Sequence, residues 1–210
     1  LVVGTGVGAR EGILFKDAAA LERARHLDTL VVDKTGTLTR GSPELVELWS
    51  VEDGGQDALL SVLAAAEAGS EHPVARAVVD ASGARGLALE PAESLEAVPG
   101  RGLAARVGRR DVVAGTRALL AERGVGTEPL ERRWAELERR GWTVVGVAVD
   151  GRPAGVAAVA DTLKPHAREV VATLGRMGVE VWMLTGDNRR TARGVAREAG
   201  IAPDRVLAEV

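Results

Sequence analysis

The stretch Thr29-Leu30-Val31-Val32-Asp33-Lys34-Thr35-Gly36-Thr37-Leu38-Thr39 decides the fold. Its first part is a β-branched and apolar run that ends abruptly in polar residues and glycine, as a buried strand of a parallel sheet does, and it reads as a central strand. Such a strand delivers its last residue, Asp33, to the carboxyl edge of the sheet, where open α/β sheets bind ligands. An aspartate at that edge can attack a γ-phosphoryl group and become an acyl phosphate, provided cations neutralise the approaching charges. Lys34 and a bound Mg2+ would supply them. Gly36 lets the backbone approach a phosphate closely, and Thr37 offers both a hydroxyl and an amide. An isolated Asp-x-Thr-Gly more often serves as a turn cap; here the string continues unbroken to Thr39.

Working outward, a second apolar run at Val179–Leu184 is followed by Thr185-Gly186-Asp187-Asn188 and a helical pattern over Arg189–Ala199 that stops at Gly200. Lys164–Met177, with Val170, Val171 and Leu174 at helical spacing, precedes that run, so helix and strand alternate as in a doubly wound sheet. Between these regions the texture changes. Trp142–Val149, the turn Asp150-Gly151 and Pro153–Ala160 predict a hairpin. Asp57–Ala68 and Val74–Ala81 predict two helices joined at 69–73, and Pro129–Arg140 a third with Leu130, Trp134 and Leu137 on one face. The fold class expected is α/β. A Rossmann-like, doubly wound domain is formed by residues 1–45 and 159–210, and residues 46–158 form an inserted α+β domain on an antiparallel sheet.

Composition sets the limits. The chain has 210 residues, 46% of them hydrophobic, enough for one large domain or two small ones. A formal net charge of −3 with interspersed signs argues against nucleic acid or an anionic membrane surface as partner. There is no Cys, hence no disulfide and no thiolate metal site. The apolar stretch Leu1–Ala9 is broken by Gly4, Gly6 and Gly8 and stopped by Arg10, short of a membrane span. A start at Leu without a charged leader segment reads as an excised segment rather than a signal peptide.

Asp33-Lys34-Thr35-Gly36-Thr37-Leu38-Thr39 resembles the phosphorylation motif of P-type ATPases, within the haloacid dehalogenase superfamily. The resemblance implies an aspartyl phosphate at Asp33, with Mg2+ held by the Asp33 carboxylate and the Thr35 main-chain carbonyl. Thr185-Gly186-Asp187 resembles the family's second phosphate-site motif, in which the Thr185 hydroxyl bonds a phosphoryl oxygen; alone it is also ordinary turn chemistry. Asp161-Thr162-Leu163-Lys164-Pro165 is similar to a hinge-side motif and is assigned a structural or interdomain role only, because Pro165 at a helix start accounts for much of it.

In the insert, Ser70-Glu71-His72-Pro73 resembles the adenine-contacting motif of the heavy-metal members in particular. Pro73 suits the first helical position and leaves His72 outside the helix, its ring free to stack on a purine. The chain's one Phe, Phe15, is far from this domain in sequence, whereas other subfamilies use a Lys and a Phe there. The resemblance also carries Glu67 onto the adenine edge; the alternative is a solvated helix-end carboxylate. Gly100 and Gly102 carry over as a backbone against which nucleotide lies, although a bare Gly-x-Gly is more often a bulge or turn. Gly115 matches a further family glycine, followed here by Thr116 where the family prefers Asn.

The likeness runs from Gly6-x-Gly8 and Gly12-Ile13-Leu14-Phe15-Lys16 to Val206-Leu207-Ala208-Glu209. The family's Gly-Asp-Gly-x-Asn-Asp motif and phosphate-site Lys are expected downstream of residue 210. The phosphorylation domain is therefore expected to be incomplete at its C-terminal end, and this fragment to bind ATP but accept phosphate poorly. The function implied is the ATP-binding and phosphorylation unit of a copper exporter, on the cytoplasmic side of the membrane. Its partners would be ATP and the transmembrane and actuator domains of the same protein, with the isolated fragment monomeric. A zinc, cadmium or cobalt transporter and a soluble phosphatase of the superfamily are the alternatives, together with a non-catalytic nucleotide-binding module. The phosphatase would need a second Asp where Thr35 stands.

Overall fold

A computed structural model describes residues 2–14, 18–24 and 26–210. Phe15 and Lys16 lie outside the described residues. The elements run α1 (Val2–Arg10), α2 (Ala18–Ala24), β1 (Thr29–Asp33), β2 (Thr39–Ser50), α3 (Gln56–Glu67), α4 (Pro73–Ala84), β3 (Ala92–Val98), β4 (Gly102–Val107) and β5 (Arg110–Gly115). They continue with α5 (Arg117–Glu122), α6 (Glu128–Arg139), β6 (Thr143–Val149), β7 (Arg152–Leu163), α7 (Ala167–Arg176), β8 (Glu180–Thr185), α8 (Arg189–Ala199) and β9 (Val206–Ala208). Among the described residues no helix is long and apolar enough to cross a membrane.

Two sheets result. A parallel sheet has the order β1-β8-β9, and a six-stranded antiparallel sheet the order β2-β7-β6-β5-β4-β3. The mixed α/β class is as expected, with one difference at the first strand. Among the described residues β8 is the central strand, and β1 lies at the edge with Val31 53% exposed. A β-branched run signals a strand but not how many neighbours it has. Val32 packs on the core of Val171, Val181, Met183, Ala192 and Ala196 under α7 and α8, while Val31, Leu184 and Leu207 are exposed.

The antiparallel sheet is covered on both faces, which is why β6 and β7 are apolar nearly throughout. Val112, Ala114, Val147 and Ala157 join one core with α3 and α4; Ala148, Val156 and Ala158 turn the other way, onto Leu130, Trp134 and Leu137 of α6. This is the period of two expressed in burial. The β6–β7 hairpin closes at Asp150 and Gly151, both with positive φ, as its tight primed turn requires.

β2 and β7 pair from Thr39↔Leu163 to Ser50↔Gly155, and their first and last residues lead to the parallel sheet. The lobes also touch where α8 meets the loop after α6: a Cβ on Gly194 would lie 2.6 Å from the Arg140 carbonyl oxygen. Helix α7 begins at Ala167, later than the pattern suggested. The Lys164 amide is used by the Leu38 carbonyl, extending the β2–β7 pairing, and His166 turns through φ 68 before the helix begins. Pro165 therefore precedes the helix instead of opening it.

Candidate functional site

Asp33 ends β1, exposed, and its carboxylate caps no backbone amide of the following turn. It has no hydrogen-bond or ion-pair partner among the described residues. Lys34–Leu38 winds into one irregular turn in which Thr35 is extended (φ −76°, ψ 120°) and Gly36 left-handed (φ 76°). The turn closes when the Thr39 amide donates to the Lys34 carbonyl. Gly41 folds back so closely that a Cβ there would sit 3.2 Å from the Gly36 Cα. Thr35 and Thr37 face solvent on the rim.

Lys34 departs from the expectation. Its side chain is buried, with the ammonium 2.9 Å from Asp187 Oδ2 and 3.7 Å from Asp161 Oδ2. Its charge links two loops and is already countered by two carboxylates. Asp161 also accepts from the Thr39 hydroxyl at 2.5 Å and from the Gly41 amide at 2.8 Å. Lys164 Nζ donates to the Gly36 carbonyl at 2.5 Å. The 161–165 motif thus lies against the Asp33 loop, a role that its sequence did not announce.

Because β1 and β8 are parallel neighbours with Asp33 opposite Leu184, Thr185 comes to the same edge as Asp33. Thr185 is buried, and its Oγ1 accepts the Asp187 amide at 3.1 Å, which leaves the hydroxyl proton able to donate elsewhere. Gly186 is exposed beside it. Asn188 caps α8, its Oδ1 accepting from the amides of Arg190 and Thr191 at 3.1 and 3.0 Å. An Asn immediately before a helical run was the available signal for that cap.

In the insert, His72 is the N-cap of α4 and Pro73 its first residue. His72 Nδ1 accepts the Val74 amide at 3.2 Å, so one edge of the ring is engaged and the Nε2 edge and the faces stay open. Glu67, at the end of α3, is 7% exposed and not the solvated carboxylate of the alternative reading. Burial pushes its pKa up to about 7.

Gly102 lies opposite Gly115 where β4 and β5 pair, and Gly100 is in the turn that leads from β3 into β4. Cβ atoms there would fall 2.1 Å from the Ala114 carbonyl oxygen and 2.2 Å from that of Arg101, so backbone packing alone demands both glycines. Gly100, at φ 71°, has open space around it. Thr116 caps α5 by accepting from the Leu119 amide.

A cleft of about 410 Å3 between the lobes is lined by Lys34, Asp161, Asp187 and Asn188 on one side and by His72, Pro73 and Val74 on the other. Asp33, Thr35, Thr37, Thr185 and Gly186 do not line it, nor do Glu67, Gly100, Gly102 and Gly115. Beside the Asp33 loop the carboxylates of Asp161 and Asp187 face the Lys34 ammonium, while Lys164 is bonded to the Gly36 carbonyl. Among the described residues no group of three His, Cys, Asp or Glu forms a closed metal cage. Mg2+ is ordinarily held by one or two carboxylates with water and phosphate oxygens, so the open Asp33 carboxylate and the Thr35 carbonyl are a fitting donor set.

The haloacid dehalogenase-like hydrolase family model matches residues 27–208. A probable copper-transporting ATPase of Synechococcus elongatus is 44% identical over the whole of this chain, which covers 28% of that protein. The copper-exporting P-type ATPase of Bacillus subtilis is 43% identical, with 26% of its length covered. A crystal structure of a zinc-transporting PIB-type ATPase in the E2.Pi state superposes with TM-score 0.88 at 34% identity, over 99% of this chain and 33% of that one. The chain thus spans 26% to 28% of the length of these curated relatives.

Proposed function

The chain belongs to the haloacid dehalogenase-like hydrolases, and from that premise we propose that it is the ATP-binding and phosphorylation unit of a copper-exporting P-type ATPase. Its P-type ATPase relatives are ATP-hydrolysing enzymes. The observation that carries the reading is that one cleft is lined both by His72 of the insert and by Lys34 and Asp187 of the parallel-sheet lobe. The insert is residues 46–158, its two ends lying within β2 and β7.

ATP enters with its adenine at His72, beside Glu67 and the Gly100–Gly102 and Gly115 backbones, and its phosphates toward Asp33. An Asp33 carboxylate oxygen attacks the γ-phosphorus, the bond to the β–γ bridging oxygen breaks, ADP leaves and an aspartyl phosphate remains. Thr185 and Thr37 hold the phosphoryl oxygens by hydrogen bonds from a hydroxyl and an amide, with the Gly186–Asp187 turn beside them. Mg2+, held by Asp33 and the Thr35 carbonyl, would neutralise phosphate charge when bound. Thr35 stands where superfamily phosphatases carry a second aspartate, so the phosphoenzyme persists.

This unit lies on the cytoplasmic side of a membrane and works with the transmembrane and actuator domains of the same transporter. Copper is the cargo named for the curated relatives cited. Zinc is the second reading, favoured by the 34% identical zinc-transporting structure. Incubating the full-length protein with γ-labelled ATP and Mg2+ tests the chemistry: hydroxylamine-sensitive label, lost in Asp33→Asn, is expected. Label that survives Asp33→Asn overturns it. Stimulation of labelling by Cu+ or by Zn2+ decides the cargo.

A further inference from the structure

In the function proposed above, Thr37, between Gly36 and Leu38, supplies its amide and hydroxyl to the incoming phosphoryl group, and it is exposed on the rim of the loop. Both of its neighbours are held by one residue from outside the loop. Lys164 donates its ammonium to the Gly36 carbonyl at 2.5 Å and its own amide to the Leu38 carbonyl at 2.8 Å. Gly36 is the point at which the loop most needs holding. Its left-handed φ of 76° is one that a glycine leaves as easily as it enters, so the residue contributes no stiffness of its own. The Gly41 backbone closes on Gly36 from one side, and Lys164 fastens its carbonyl.

The two lysines at the loop differ. Lys34 is buried and shared between Asp187 and Asp161, whereas Lys164 has no carboxylate partner among the described residues. A cation bonded to a neutral carbonyl keeps its full charge, and such charge-assisted bonds are the stronger kind. Lys164 also follows directly on β7, the strand that returns from the insert and ends at Leu163, so the same residue joins the insert to the loop.

We infer that Lys164 is a positioning residue for phosphoryl acceptance: it fixes the Gly36–Leu38 segment so that Thr37 meets the phosphoryl oxygens, with no contact of its own to ATP. The inference rests on Asp33 being the phosphoryl acceptor. In the full-length protein, Lys164→Met is expected to slow labelling from γ-labelled ATP about 10- to 100-fold, the usual cost of a misplaced reacting group. ATP affinity should change less than twofold, and Lys164→Arg should restore most of the rate. Amide hydrogen exchange over residues 34–38 should speed up in Lys164→Met and not in Lys164→Arg. Equal losses in labelling and ATP affinity, no rescue by Arg, or unchanged exchange overturns the inference. If the unsubstituted protein takes no label, the acceptor reading falls, and the exchange measurement still decides whether Lys164 holds the loop.

Discussion

The Lys34 ammonium lies 2.9 Å from the Asp187 carboxylate, joining the loop after β1 to the loop after β8. Asp161 stands 3.7 Å away on the other side and is little exposed. Removing the cation leaves two carboxylates close together with only the Thr39 hydroxyl and the Gly41 amide to satisfy one of them. Lys34→Met is therefore expected to destabilise the protein by about 1–3 kcal/mol, less than a fully buried pair because Asp187 is partly solvated. Chemical denaturation measures it. The double variant Lys34→Met/Asp187→Asn should cost less than the sum of its singles, and strict additivity would show that the two charges do not interact.

His72 and Asp33 separate binding from chemistry. The His72 ring offers open faces at the mouth of the cleft, while Asp33 stands outside the cleft lining at the strand edge. His72→Ala should weaken ATP binding about tenfold, the scale of one aromatic contact. Asp33→Ala should leave affinity intact or improve it by removing a charge that repels phosphate. Titration calorimetry on both variants decides; equal losses would place the adenine somewhere other than at His72.

Much of this arrangement was legible because its signals are local. The strand at Thr29–Asp33, the helix at Arg189–Ala199 and the hairpin turn at Asp150-Gly151 each follow from a short pattern, and each appears within a residue or so of its expected bounds. The edge position of β1 was not legible, since a run of apolar residues carries no count of its neighbours. Nor was the site of Lys34, whose partners Asp161 and Asp187 are remote in sequence. The glycines illustrate a third case. Gly102 and Gly115 are each required by the backbone across the pair, at the Ala114 and Arg101 carbonyl oxygens, a fact visible only once β4 and β5 are paired.

Glu67 gives the protein a pH signature. Burial raises its pKa from 4.5 to about 7, so the unfolded chain loses this proton at lower pH than the folded one does. Between those values the unfolded state binds fewer protons, and stability falls as pH rises. The group's contribution is full below about 4.5 and gone above about 7. Glu67→Gln should flatten this part of a melting-temperature profile and raise stability most at pH 7 and above. An unchanged slope between pH 5 and 7 would assign the dependence to other groups.

Gly100 and Gly102 differ by one intervening residue and should respond differently to alanine. At Gly102 the added Cβ would lie 2.1 Å from the Ala114 carbonyl oxygen with φ at 138°, so β4 and β5 must separate. Gly102→Ala is expected to destabilise by about 2–4 kcal/mol, the range of a strained, overpacked site. At Gly100 the Cβ meets nothing within 4 Å, and only the left-handed φ of 71° resists it. Gly100→Ala should cost about 1–2 kcal/mol of stability. If nucleotide lies against this turn, Gly100→Ala will also weaken ATP binding in protein that is still folded, because the new methyl group occupies the space that the ligand would use. Full ATP affinity in folded Gly100→Ala would confine the role of the turn to backbone geometry and remove it from the nucleotide site.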